Sequence, residues 1–216
     1  MNGEIVELKD GSGNRYRTYL SQPAGGTGPG VVIGLDIFGL RPLYHEIADL
    51  FAGQGYLAAV PDYFWDVEMG EAKSYRGKYK FPTMVEVTHA TLQQLRPMGA
   101  CNGKVAATGF CVGGNTAFVA AAHGEADAAA SYYGTRLHTL LDEVANIQCP
   151  VLLHIAEHDE TYPDEERDRI LAAIKTNPLI TPHIYAAPHG FASSHVVADA
   201  QALAHARTFA LFDTLK

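Results

Sequence analysis

Three residues in this chain have the types needed for nucleophilic transfer: Cys111, Asp159 and His189. A thiolate attacks an electrophilic carbon, an imidazole moves the proton, and a carboxylate fixes the imidazole's tautomer and steadies its cationic form. Cys111 sits in Gly109-Phe110-Cys111-Val112-Gly113, between the apolar run Val105–Thr108 and an alanine-rich segment. That is the frame of a sharp strand-to-helix bend, G-x-S-x-G with sulfur in place of the hydroxyl. The flanking glycines let a strained bend sit against an adjoining strand and helix. They also aim the nucleophile at the free N–H groups of the following helix, which favour a thiolate and later an oxyanion.

The other two positions have rivals in the sequence. Glu157 and Asp164 lie close to Asp159, and His183 and His195 compete with His189. "PHGF" follows a strand-like run, which favours His189, and His195 reads as a rim residue on the last helix. Cys101 and Cys149 lack the glycine frame, and Cys149, before Pro150, reads as structural. Taken alone, Cys111 also fits a small buried residue, as free cysteines often are. "HIAEHD" places His154 and His158 on one face of a strand, but with no HExxH and no zinc-type cysteine spacing the expectation is no metal. "TGFCVGG" lacks the G-x-G-x-x-G of a dinucleotide turn.

The elements that must position these residues are short. "EIVEL" and "RYRTYL" alternate as an antiparallel hairpin, and "SQPAGGTGPG" (21–30) reads as a turn. The runs 31–36, 57–61, 104–109, 128–134, 151–157 and 183–188 are continuously apolar, which suits strands covered on both faces. Helical patterns at 42–54, 83–96, 112–123, 136–145, 164–175 and 193–214 alternate with them. The implied class is α/β, a mostly parallel central sheet with helices on both faces and its site at the carboxyl ends of the strands. A nucleophile at the bend, then an acid, then a histidine is the chain order of an α/β-hydrolase.

Composition bounds the rest. At 216 residues the chain suits one domain. A net charge of −8 with no Lys/Arg cluster excludes nucleic acid as the main partner. No run approaches the length of a membrane span, and the N-terminus does not read as a signal peptide. Three cysteines do not make a disulfide framework. The expectation is a cytoplasmic monomer or homodimer acting on a small molecule without a cofactor. Two competing expectations are a redox thiol protein, although the chain has no CxxC, and a silent ligand-binding relative.

"GFCVGG", "SYYG", "AEHDETYP", "PHGF" and "LDIFGL", in that order from about Val31 to the last helix, resemble the dienelactone hydrolases (carboxymethylenebutenolidases). The resemblance implies an α/β-hydrolase that cleaves a lactone or ester through a Cys111–His189–Asp159 triad and a thioester acyl-enzyme. It also implies an oxyanion hole from the backbone N–H groups of Val112 and Ile37. Asp36 stands where the family commonly has a glutamate that modulates the resting thiol. Ser193 stands where dienelactone-cleaving members have an arginine for the substrate carboxylate. Arg76, Tyr79, Tyr133 and Ser193 are the implied substrate-binding positions.

Overall fold

The computed structural model describes residues 3–68, 73–193 and 197–216, and His195 lies outside them. The alternating segments β1 (Glu4–Lys9) and β2 (Arg15–Ser21) pair antiparallel, with Glu4 opposite Leu20 and Lys9 opposite Arg15. The Asp10 carboxylate closes the intervening turn by accepting the N–H groups of Ser12 and Asn14 at 3.0 and 2.8 Å. Six further strands follow: β3 (Gly28–Gly34), β4 (Leu57–Pro61), β5 (Cys101–Phe110), β6 (Ala128–Tyr132), β7 (Val151–His158) and β8 (Ile180–Pro188). The order across the sheet is β1-β2-β4-β3-β5-β6-β7-β8. From β4 to β8 every neighbouring pair is parallel, as continuous apolar runs require.

Side-chain alternation divides the core between two faces. Val31, Ile33, Ala58 and Val60 face the side of α1 (Pro42–Gly53) and α5 (Ala198–Phe212), where Phe51, Tyr56, Phe209 and Phe212 pack together. Val32, Leu57, Ala59 and Val105 face α2 (Phe81–Leu95), α3 (Val112–Ala122) and α4 (Asp164–Ile174), meeting Leu95, Phe118 and Ile174. Helix α3 is buried along its whole length, which explains its lack of a polar face. Among the described residues no helix is long and apolar enough to cross a membrane.

Several boundaries differ from the sequence reading. Gly28–Gly30, read there as part of a turn, belong to β3, where Gly28 pairs with Cys101 and Gly30 with Val105 of β5, and a side chain at Gly28 would run into the Gly55 carbonyl. Strands β5 and β8 begin earlier than expected, at Cys101 and Ile180. The 136–145 segment is a 3₁₀ stretch, Leu137–Asn146, broken at Leu140. It leaves a left-handed Arg136, and the Thr139 hydroxyl donates back to the Arg136 carbonyl at 2.8 Å, competing with α-helical bonding. The last helix begins at Ala198, later than position 193.

The tightest packing lies where α3 meets the sheet. A Cβ on Gly34 would come within 2.8 Å of the Gly113 carbonyl oxygen, and one on Gly109 would strike the same carbonyl. Gly109→Ala is therefore expected to destabilise the protein by about 2–3 kcal/mol, the scale of overpacking in a closed core. Urea denaturation against the parent, with Gly124→Ala as the comparison where a Cβ meets nothing within 4 Å but strains a positive φ, checks the steric part.

Candidate active site

The corner between β5 and α3 is formed by Cys111 itself, at φ 57° and ψ −122°. A side chain with positive φ is strained, and the surroundings hold it there. The Cys111 N–H donates to the Tyr132 carbonyl at 3.1 Å, and the Cys111 carbonyl accepts from Gly114 at 3.0 Å and Thr135 at 3.3 Å. The residue is largely buried, and its Sγ lies 3.0 Å from the Thr135 Oγ1.

At the end of β8, His189 places Nδ1 2.8 Å from Asp159 Oδ2, just beyond β7. The Asp159 side chain is only 1% exposed, and its second oxygen accepts from the N–H and hydroxyl of Thr161 at 2.9 and 2.6 Å. Burial alone would raise the Asp159 pKa, but the His189 and Thr161 hydrogen bonds hold it below the usual carboxylate range. Burial likewise works against a charged His189. Hydrogen bonds to Asp159 and Cys111, and the charges of both, outweigh it and raise the imidazole to about 10. With Nδ1 committed to Asp159, Nε2 is the nitrogen left for the sulfur. The Tyr133 ring meets the imidazole edge-on at 4.8 Å, fixing the third side of the ring.

The rival residues lie elsewhere. Asp164 is exposed and pairs with Arg167 at 3.0 Å, and Glu157 is exposed, its carbonyl accepting from Arg167 at 2.9 Å. His183 stacks on His154 at 6.0 Å. His154 is fully buried, its two ring nitrogens paired with Tyr185 and Thr208 at 2.8 and 2.9 Å, so neither is left for a metal. Among the described residues no group of three His, Cys, Asp or Glu side chains is arranged to hold a metal ion.

Val112 is the first residue of α3, where N–H groups have no intrahelical partner. Ile37 lies in the turn after β3, and three bonds fix that turn. Asp36 Oδ1 accepts from the Phe38 N–H at 2.9 Å, the Asp36 N–H donates to the Tyr44 hydroxyl at 2.8 Å, and the Ile37 carbonyl accepts from Tyr75 at 2.8 Å. The other Asp36 oxygen pairs with Arg41 at 2.6 Å. The Arg41 guanidinium lies over the rings of Phe38 and Tyr44, at 5.4 and 5.6 Å. The carboxylate at 36 thus shapes its own turn and binds a cation, while the sulfur's hydroxyl neighbour is Thr135.

The implied substrate positions divide. Tyr133 reaches the triad, and its hydroxyl donates to Ser193 Oγ at 3.0 Å, which in turn donates to the Gly190 carbonyl at 3.3 Å. Tyr79 packs half-buried against the core. Arg76 is exposed, with its backbone N–H on Ser74 Oγ at 3.4 Å and no contact to the triad among the described residues. Tyr75, stacked on Phe64 at 4.1 Å and bonded to Ile37, is the residue of that segment that touches the turn. The sequence does not mark Thr135, Thr161, Arg41 or Tyr75. The threonines' only signal was proximity to "SYYG" and "HDE", and no spacing rule marks a hydroxyl that bonds a strand-end neighbour.

The profile of the dienelactone hydrolase family matches residues 16–216. The chain belongs to that family. It is 32% identical over 194 residues to the carboxymethylenebutenolidase of Pseudomonas putida, covering 84% of this chain and 82% of that one. To the carboxymethylenebutenolidase of Pseudomonas sp. strain P51 it is 30% identical over 196 residues, covering 85% and 82%. The dienelactone hydrolase structure from Anabaena variabilis superposes with a TM-score of 0.79 at 18% identity, covering 99% and 97% of the two chains. A dienelactone hydrolase-like promiscuous phosphotriesterase from metagenomic libraries gives 0.77 at 24% identity, covering 100% and 99%. The fold is that of an α/β-hydrolase, and the family member described here is a hydrolase acting on a lactone or an ester.

The raised imidazole makes stability depend on pH with a definite sign. Its contribution is fully present below the unfolded histidine value, ~6.5, and is lost as pH rises through about 10. Between pH 7 and 10.5 the parent should therefore lose stability relative to His189→Gln, measured by urea denaturation at each pH.

Proposed function

We propose that this chain hydrolyses its lactone or ester with Cys111 as nucleophile, His189 as the proton carrier and Asp159 as the residue that orients and charges His189. The observation that carries the reading is the corner itself: a strained cysteine at the head of α3 facing an imidazole held at 2.8 Å by a buried carboxylate. The Cys111 proton passes to His189 Nε2, and the thiolate attacks the carbonyl carbon. The carbonyl electrons move to oxygen, where the N–H groups of Val112 and Ile37 receive the negative charge. The tetrahedral species collapses to a thioester, and His189 gives its proton to the departing alkoxide. Water then enters, His189 takes one of its protons, and hydroxide adds to the thioester. Collapse expels the thiolate, which recovers the proton, and leaves the carboxylic acid product. No cofactor enters the cycle.

The substrate is a small molecule, and lactones and esters with and without a carboxylate are the compounds to compare by kcat/KM. Ser193, tied to Tyr133 and Gly190, supplies a hydroxyl where dienelactone-cleaving relatives supply a cation. Recognition of a substrate carboxylate therefore does not rest on that position.

Cys111→Ala should lose p-nitrophenyl acetate hydrolysis to background while keeping the parent's circular dichroism and thermal transition. A folded Cys111→Ala protein that still turns over would overthrow the mechanism. Asp159→Asn should lower kcat by about 10²–10⁴ with little change in KM, because its loss misorients a proton carrier and not the substrate. Steady-state kinetics on the same ester decide it.

A further inference from the structure

The Cys111 sulfur has a neighbour that the triad does not include. Thr135 Oγ1 lies 3.0 Å from Sγ, closer than a van der Waals contact between sulfur and oxygen, and no other partner of that hydroxyl occurs among the described residues. The backbone around the hydroxyl is fastened on both sides. The Thr135 N–H donates to the Cys111 carbonyl at 3.3 Å, and the Thr135 carbonyl accepts from the Asn115 side chain one turn into α3. The segment reaches this position through two strained residues, Tyr133 at φ 39° and Arg136 at φ 64°. Between them, a Cβ on Gly134 would lie 2.7 Å from Asn115 Oδ1, so the loop lies hard against the helix that carries the sulfur. Strain of this kind persists where the surroundings over-determine it and concentrates at functional positions.

We propose that Thr135 is a positioning residue for the nucleophile, its hydroxyl donating a hydrogen bond to the Cys111 sulfur that fixes the side chain and stabilises the thiolate before attack. The proposal rests on the reading of Cys111 as nucleophile and adds a group to it. A thiolate carries no proton, so once His189 holds that proton the hydroxyl is necessarily the donor. The other groups facing the sulfur differ in kind. His189, backed by Asp159 beyond β7, is the cation; the N-terminus of α3 adds partial positive charge; Tyr133, at the end of β6, stays protonated because burial, above all, holds its pKa well above 10. Asp36, beyond β3, is the nearby anion, and Arg41 neutralises it at 2.6 Å. The carboxylate at 36 is thus engaged elsewhere, and a neutral donor takes the place beside the sulfur.

The test compares Thr135→Val and Thr135→Ser with the parent. The rate of iodoacetamide alkylation at Cys111 is followed by peptide mass spectrometry from pH 5 to 9, alongside kcat and KM for p-nitrophenyl acetate. Cys149, whose pKa burial raises to about 11, serves as a slow internal reference. Thr135→Val should slow alkylation near pH 6.5 by about tenfold, the scale of a hydrogen bond to a charged group. It should also move the alkylation midpoint to higher pH and lower kcat with KM little changed. Thr135→Ser should restore all three. If Thr135→Val does not fold, Thr135→Ala against Thr135→Ser makes the same comparison with one oxygen as the difference. Unchanged alkylation in the variant lacking the hydroxyl overturns the proposal, as does a folded Thr135→Ser protein as impaired as that variant. Alkylation needs no turnover, so these outcomes stay separate from the Cys111→Ala test, which alone reports on the nucleophile.

Discussion

Everything at this site depends on one backbone constraint: Cys111 holds a positive φ at the junction of β5 and α3. Such a conformation is unfavourable for a residue with a side chain. It survives because the glycines around it let three backbones close to contact. Gly109, Gly113 and Gly34 meet where β5, α3 and β3 converge, and a methyl group on any of them would collide with a carbonyl. The close approach seats the head of α3 on the ends of the strands, and the Cys111 N–H then finds a partner at the last residue of β6 and its carbonyl one on the loop that follows. The strain is local, and the packing that offsets it is spread over α3, buried from end to end.

The polar groups that meet at that corner differ in burial. Asp159 is sealed, His189 is partly open, and the sulfur lies between His189 and Thr135. A carboxylate removed from water is costly unless its lone pairs are filled. Thr161 fills one oxygen twice and the imidazole fills the other, so the charge is retained. The hydrogen bonds to Asp159 and Cys111, with the charges of both, lift the His189 pKa against its own desolvation. Below the site the same logic holds without charge: His154, Tyr185, Thr208 and Tyr132 satisfy one another, with His154 kept neutral by burial. The polar layer beneath the catalytic strands is therefore a rigid floor.

What was legible in the sequence follows from these constraints. Strands β3 to β7 are legible as elements, though not in every boundary, because continuous apolar runs have one physical outlet, a sheet covered on both faces. Cys111, Asp159 and His189, the residues proposed above as the triad, stand out in the sequence because strand ends and a glycine frame mark them. The 3₁₀ segment after β6 is not, because its pattern of Leu137, Leu140, Leu141 and Val144 is helical and only the left-handed Arg136 and the Thr139 back-bond break it. Thr135 escapes notice for the same reason: its importance comes from a loop path that composition does not encode. The Asp36–Arg41 pair joins residues five apart in sequence, yet a turn after a strand gives no periodicity from which to read which carboxylate oxygen meets which cation.

The division between sheet and loops also separates chemistry from choice of substrate. The groups assigned to bond breaking stand one residue beyond strand ends, where neighbouring strands and the head of α3 position them. The segment that carries Tyr75, Arg76 and Tyr79, and residues 189–193, are turns and loops, the kind of segment that accepts substitution without disturbing the sheet. Among the described residues the Ser193 hydroxyl bonds Tyr133 and the Gly190 carbonyl, and it does not bond Cys111, Asp159 or His189 directly. Asp36 is different. It sits on the turn that carries Ile37, and its carboxylate accepts the Phe38 N–H, so a change there alters the turn proposed above to supply an oxyanion donor. The Asp36 carboxylate bonds its own turn and Arg41, and the hydroxyl beside the Cys111 sulfur is that of Thr135 on the loop after β6.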